Sequence, residues 1–166
     1  MTGTGVPHKQ ANRIAAEYRG AEAFLPRRVP EGFAFSRWWT ASGCGPCGLR
    51  LVVHFVHGRR DLRWETFFPE DPSRRRLDCR HQPRVATVIE GRKISYRRVG
   101  GIETAWFCIP HRYHETVSVS HRVGGDGVTP RDLERMVASA RPQAPGRARG
   151  SRYELPGRAA TLQMGR

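Results

Sequence analysis

Lysine is almost missing from this chain of 166 residues: only Lys9 and Lys93 occur, so 27 of the 29 basic side chains are arginine. Acidic residues number only 15, which leaves a net charge of +14. Such a balance ordinarily points to a polyanionic partner, nucleic acid or anionic lipid. The arginines are spread along the chain, however, and with 18 glycines and 12 prolines they look like the coding bias of a GC-rich genome. Long apolar runs are missing too. The longest, Leu51 to Val56, is broken by His54 and falls far short of the roughly 18 residues that cross a bilayer, which excludes a membrane-spanning helix. The N-terminal stretch MTGTGVPHKQANRIAAEYRG holds no apolar segment of the signal-peptide kind, so the chain is expected in the cytoplasm. An acid, base and nucleophile at a usable spacing are also lacking. The nearest approach is IPHRYHE, with His111, His114 and Glu115 but no second carboxylate and no nucleophile.

What is present reads as one α+β domain over residues 1–141, followed by a basic tail over 142–166. Residues 8–24 carry Ile14, Ala15, Tyr18, Ala21 and Phe24 at helical spacings. Pro26 and Pro30 then turn the chain to extended structure, and Glu31-Gly32 marks a turn before a strand that begins near Phe33. LRLVVHFVH and LRWETFF form a hairpin around a four-residue loop, with Leu51, Val53 and Phe55 on one face, His54 alternating to the other and His57 at the loop. Glu90-Gly91 and Gly100-Gly101 are tight turns inside an antiparallel meander, along which Val117, Val119 and His121 share a face. Thr129, Pro130 and Asp132 start a helix that buries Leu133, Met136, Val137 and Ala140. The expected fold is a curved antiparallel sheet of about six strands with the C-terminal helix on one face and a further helix at the N-terminus. The tail from residue 142 has too few apolar side chains to offset ordering entropy and is expected to be disordered.

Four cysteines stand out: Cys44 and Cys47 in the run Cys-Gly-Pro-Cys, then Cys79 and Cys108. A thioredoxin-like redox pair needs a helix N-terminus to activate its first thiol, and the sequel GLRLVVHFVHG is β-branched and aromatic. Two thiolates on one tight turn are instead half of a tetrahedral zinc site. Cys44, Cys47, Cys79 and Cys108 are therefore the expected ligands of a structural zinc, with His81 and His111 as substitutes. A disulfide framework is the competing arrangement, and it would place the protein outside the cytoplasm.

The succession FLPRRVPEGF, EGRKISYRR, ETAWFCI, ETVSVSHRV and TPRDLERMVASA resembles the small antiparallel-sheet domains of unknown function in the extracytoplasmic parts of Gram-positive anti-sigma factors and lipoproteins. Matching positions are Val29, Pro30, Gly32 and Phe33, then Gly91, Trp106, and Asp132, Leu133, Ala138 and Ser139 in the closing helix, so the resemblance covers residues 24–141. It implies the fold and brings no catalytic residues. The expected function is a non-catalytic binding or regulatory module whose partner is a protein or a small ligand. Two rivals remain: a thiol-disulfide oxidoreductase with Cys44 as nucleophile and Cys47 as resolving thiol, and a nucleic-acid-binding protein using tryptophans beside arginines.

Overall fold

The structure, a computed structural model, describes residues 2–17, 24–42, 49–68, 82, 84–111 and 114–143. Strand β1 (Thr2–Thr4) leads into helix α1 (His8–Glu17), which buries Ala11, Ile14 and Ala15 at the spacing of one helical stripe. The helical stripe expected over residues 8–24 does not reach Phe24, and Tyr18 and Ala21 lie outside the described residues. Phe24 belongs to β2 (Phe24–Leu25), because Pro26 disfavours helical backbone at the residue before it. Strand β3 (Arg28–Pro30) pairs with β1, and Gly32 turns the chain at φ +85° toward β4 (Ala34–Ser42).

β4, β5 (Leu49–His57) and β6 (Arg60–Phe68) follow as antiparallel neighbours. The β5–β6 hairpin is tighter than expected: His57 pairs with Arg60, so Gly58 and Arg59 alone make the turn. β7 (Val85–Ile89), β8 (Arg92–Val99), β9 (Ile102–His111) and β10 (His114–Gly125) form the meander. Both of its expected Gly turns are there. Glu90 and Gly91 take φ of 52° and 75°, Gly100 and Gly101 take 57° and 81°, and two successive positive values make the turn that suits a twisted hairpin.

The sheet has seven strands in the order β4-β5-β6-β10-β9-β8-β7, one more than expected. It is curved and unclosed, since β4 and β7 stand at opposite edges. One connection is not that of a simple meander: β6 pairs with β10 rather than with β7.

Helix α2 (Pro130–Ser139) starts on a complete capping box, with Asp132 N–H donating to Thr129 Oγ1 at 3.2 Å and Thr129 N–H to Asp132 Oδ2 at 3.1 Å. Leu133, Met136 and Val137 are buried, as the stripe required, and each contributes about 2 kcal/mol through burial. The helix lies against β3, β7 and β9. Strand β11 (Arg141–Pro142) pairs with β2, and Gln143 is buried, so packed chain continues past the boundary expected at residue 141. The rest of the tail, 144–166, lies outside the described residues.

Cross-strand partners share a face, so the register sorts every side chain. Leu51, Val53, Phe55, Leu62, Trp64, Ala105, Phe107, Val123 and Ile94 look inward, where Ile14, Phe24, Leu25, Val29, Leu133 and Met136 join them in one core. Trp64 Nε1–H donates to the Phe24 carbonyl at 2.9 Å, a partner that lets an indole be fully buried.

Candidate binding face

The opposite face of the sheet carries no helix among the described residues, and its side chains form three rows across the strands. The first runs Arg37, His54, Arg63, Gly124, Thr104 and Arg97. The second runs Trp39, Val52, Glu65, Arg122, Trp106, Ser95 and Val85, and the third runs Ala41, Arg50, Phe67, Ser120 and Cys108. This face is wet only at its top: His54, Val52, Glu65, Ser95, Thr104 and Ser120 are buried, beneath exposed Arg37, Arg63, Arg97 and Arg122 and half-buried Trp39 and Trp106.

Each long side chain has a defined seat. Arg37 lies over the Trp39 ring at 5.0 Å, and Arg122 lies over Phe67 at 5.0 Å while donating from Nη2 to Glu65 Oε2 at 2.6 Å. Trp106 Nε1–H donates to Ser120 Oγ at 2.7 Å. His54 Nε2 meets Asp61 Oδ1 at 2.7 Å, and its ring stands edge-on to Trp39. The four large apolar side chains that are exposed among the described residues also sit here: Val85, Val88, Val99 and Ile102 on the β7–β9 side. Strand β7, with no partner beyond it among the described residues, is an open sheet edge. The result is an apolar strip beside a field of arginines in which Glu65 holds Arg122 and Asp61 holds His54.

Of the expected site residues, Cys44, Cys47, Cys79 and His81 lie outside the described residues, and so does any contact among them. Cys108, on the outer face, is disulfide-bonded. A disulfide sulfur is not the thiolate that zinc requires, so the four-cysteine zinc set gains no support from Cys108 in this state. Among the described residues no three His, Cys, Asp or Glu side chains gather as a metal set, and of His111 only its backbone pairing with His114 is described. The redox alternative lacks its setting as well. The chain enters strand β5 at Leu49, two residues after Cys47, and the sheet pairs are antiparallel with no crossover helix among the described residues. His57 is not a loop residue but ends β5, its ring edge-on to Phe33.

The tryptophans divide between the faces. Trp64 is core, and Trp38 sits on the core side and donates to Gln10 Oε1 at 3.3 Å. Trp39 and Trp106 share an outer row with arginines between and beside them. Reading the sequence segment by segment missed this face, since it lies in no single segment. The available signal was alternation: Arg37 with Trp39, Arg50 with Val52 and His54, and Arg63 with Glu65 and Phe67 each recur every second residue.

Two solved structures share part of this arrangement. The crystal structure of MucB in complex with MucA(peri) aligns with a TM-score of 0.47 at 15% identity, covering 74% of this chain and 37% of that one. The Pseudomonas aeruginosa MucA/MucB complex aligns with a TM-score of 0.48 at 16% identity, covering 74% of this chain and 35% of that one. The chain thus spans little more than a third of the length of either. No family model matches the chain, and no curated protein matches it. The positions that carry the resemblance read from the sequence fall in elements of the kind it implied. Val29 and Pro30 lie in a strand before the Gly32 turn, Gly91 makes a hairpin turn, Trp106 is on β9, and Asp132, Leu133, Ala138 and Ser139 lie in the closing helix. Its Gram-positive setting has no counterpart in these findings.

Proposed function

We propose that this chain is a non-catalytic binding module that docks a protein partner on its outer sheet face, through a segment carrying apolar and acidic side chains. The observation that carries this reading is the joint placement of Val85, Val88, Val99 and Ile102 with Arg63, Arg97 and Arg122 on one surface. Apolar anchors supply the area and the arginines select charge. The probe is a fluorescent peptide of alternating glutamate and leucine, followed by anisotropy at physiological salt. Binding should weaken at least tenfold, about 1.4 kcal/mol, in Val88→Glu and in Arg97→Glu. Equal binding by both variants, or by a peptide of glutamate alone, removes this face from the account.

Single-stranded nucleic acid is the second reading, favoured by Trp39 and Trp106 beside arginines. It ranks lower because Arg37 already covers the Trp39 ring and both indoles are partly buried, which leaves little open π-surface for a base. Filter binding with single- and double-stranded DNA and RNA at physiological salt separates the two, and binding confined to low salt is charge alone. The compartment we propose is extracytoplasmic. The disulfide at Cys108 supports it, since such bonds persist in oxidising surroundings and are reduced in the cytoplasm.

A further inference from the structure

Arginines scattered in the sequence are gathered by the fold on the helix side of the sheet. Arg27 and Arg28, at the junction of β2 and β3, meet Arg135 of α2 and Arg141 just beyond it, and with Ala138 and Ser139 they line an open groove of about 550 Å³. None of these lining residues is acidic. The carboxylates close by on α2 are committed elsewhere: Asp132 closes the capping box, and Glu134 accepts from the Tyr96 hydroxyl at 2.6 Å. Arg141 Nη1 donates to the Ala138 and Ala140 carbonyls at 2.8 Å each. Arg28 and Arg135 also line an adjoining hollow that holds Glu31 and Asp132.

The frame that carries them is fixed. Arg28 N–H donates to Ser139 Oγ at 3.0 Å and Ser139 Oγ–H donates to the Met136 carbonyl at 2.8 Å, so the end of α2 is tied to β3. Like charges lining one groove repel one another, and a counter-anion relieves that repulsion. Guanidinium forks match the oxygens of phosphate two at a time.

We infer that this groove is an oxyanion site for a small ligand bearing a diphosphate, contacted by Arg27, Arg28 and Arg135. Charge per group favours diphosphate over carboxylates. Two linked phosphates concentrate about three to four negative charges on adjacent groups near neutral pH, whereas each carboxylate carries one. The volume suits a ligand between pyrophosphate and a nucleotide in size. The site is on the side of the sheet away from the outer face and stands independently of the protein-docking reading.

The test is thermal unfolding of the full chain in inorganic pyrophosphate, with ionic strength held constant by sodium chloride. Saturation about tenfold above Kd should raise Tm by about 4 °C. The rise should vanish in Arg28→Gln/Arg135→Gln and persist in Arg97→Gln on the outer face. Circular dichroism checks that the double variant folds. If it does not, Arg27→Gln decides by calorimetric titration, where affinity should fall at least fivefold. A nucleoside diphosphate that binds more tightly than pyrophosphate supports the site and assigns the ligand to nucleotides, whereas equal binding supports it and assigns the diphosphate alone. An equal rise with citrate, an undiminished rise in the double variant, or no rise in the wild type overturns the inference.

Discussion

His121 stacks on Phe107 with ring centroids 5.1 Å apart, meets Phe24 and Trp64 edge-on, and is 1% exposed. Burial drives its pKa from 6.5 down to about 3, the Val119 carbonyl opposes this by accepting from Nδ1–H, and the Arg92 charge adds to it. Between those two values the unfolded chain binds a proton that the folded chain refuses. Stability therefore falls as pH drops from about 6.5 toward 3, by up to about 1.4 kcal/mol per pH unit. His121→Phe keeps an aromatic ring against Phe107 and removes the titration. Urea unfolding at a series of pH values should show a shallower acid loss in the variant than in the wild type, by close to one proton; identical slopes would mean that His121 is not held neutral. The core position of His121 was readable, since it alternates with Val119 on β10. Its aromatic cage was not. Phe107 comes from β9 and Phe24 from β2, and no local pattern says which strands will meet.

Among the elements, those written in adjacent residues were the legible ones. The turns at Glu90-Gly91 and Gly100-Gly101 and the start of α2 each need a few particular side chains in a row, and the chain supplies them. Thr129 shows how much such a signal is worth. Removing its hydroxyl by Thr129→Ala leaves Asp132 N–H only its bond to the Thr129 carbonyl, and α2 covers one side of the core. The expected loss is about 1 kcal/mol of global stability, read as a lower urea midpoint with an unchanged m-value. A loss under about 0.3 kcal/mol would show that Asp132 alone holds the first turn. What the sequence hid at this scale was long-range pairing. β6 and β10 are distant in the chain yet lie side by side, and this contact joins the β4–β6 hairpins to the meander. Without that pairing the outer rows cannot be written down, so the arginines of β5, β6 and β10 seemed scattered when they in fact adjoin.

At the scale of the whole molecule, Cys108 is the one cysteine among the described residues, and Cys44, Cys47 and Cys79 lie outside them. Cys108 shares a row with Ser120, Phe67, Arg50 and Ala41. The spacing of the cysteines left zinc and disulfide open because both bring sulfurs together; the disulfide at Cys108 favours the second. A bond from Cys108 to any of the other three cysteines would close a loop long enough to contribute about 4 kcal/mol by restricting the unfolded chain. In a chain of this size that is on the order of 10 °C in Tm. Thermal unfolding with and without dithiothreitol should show such a drop, and a chelator should cause none. Alkylation of the denatured, unreduced chain, followed by intact mass, should find no more than two reactive thiols. Four alkylated cysteines, together with one zinc per chain in native mass spectrometry, would return all four sulfurs to a metal and the protein to a reducing compartment, because thiolates that hold zinc are not spent on disulfides.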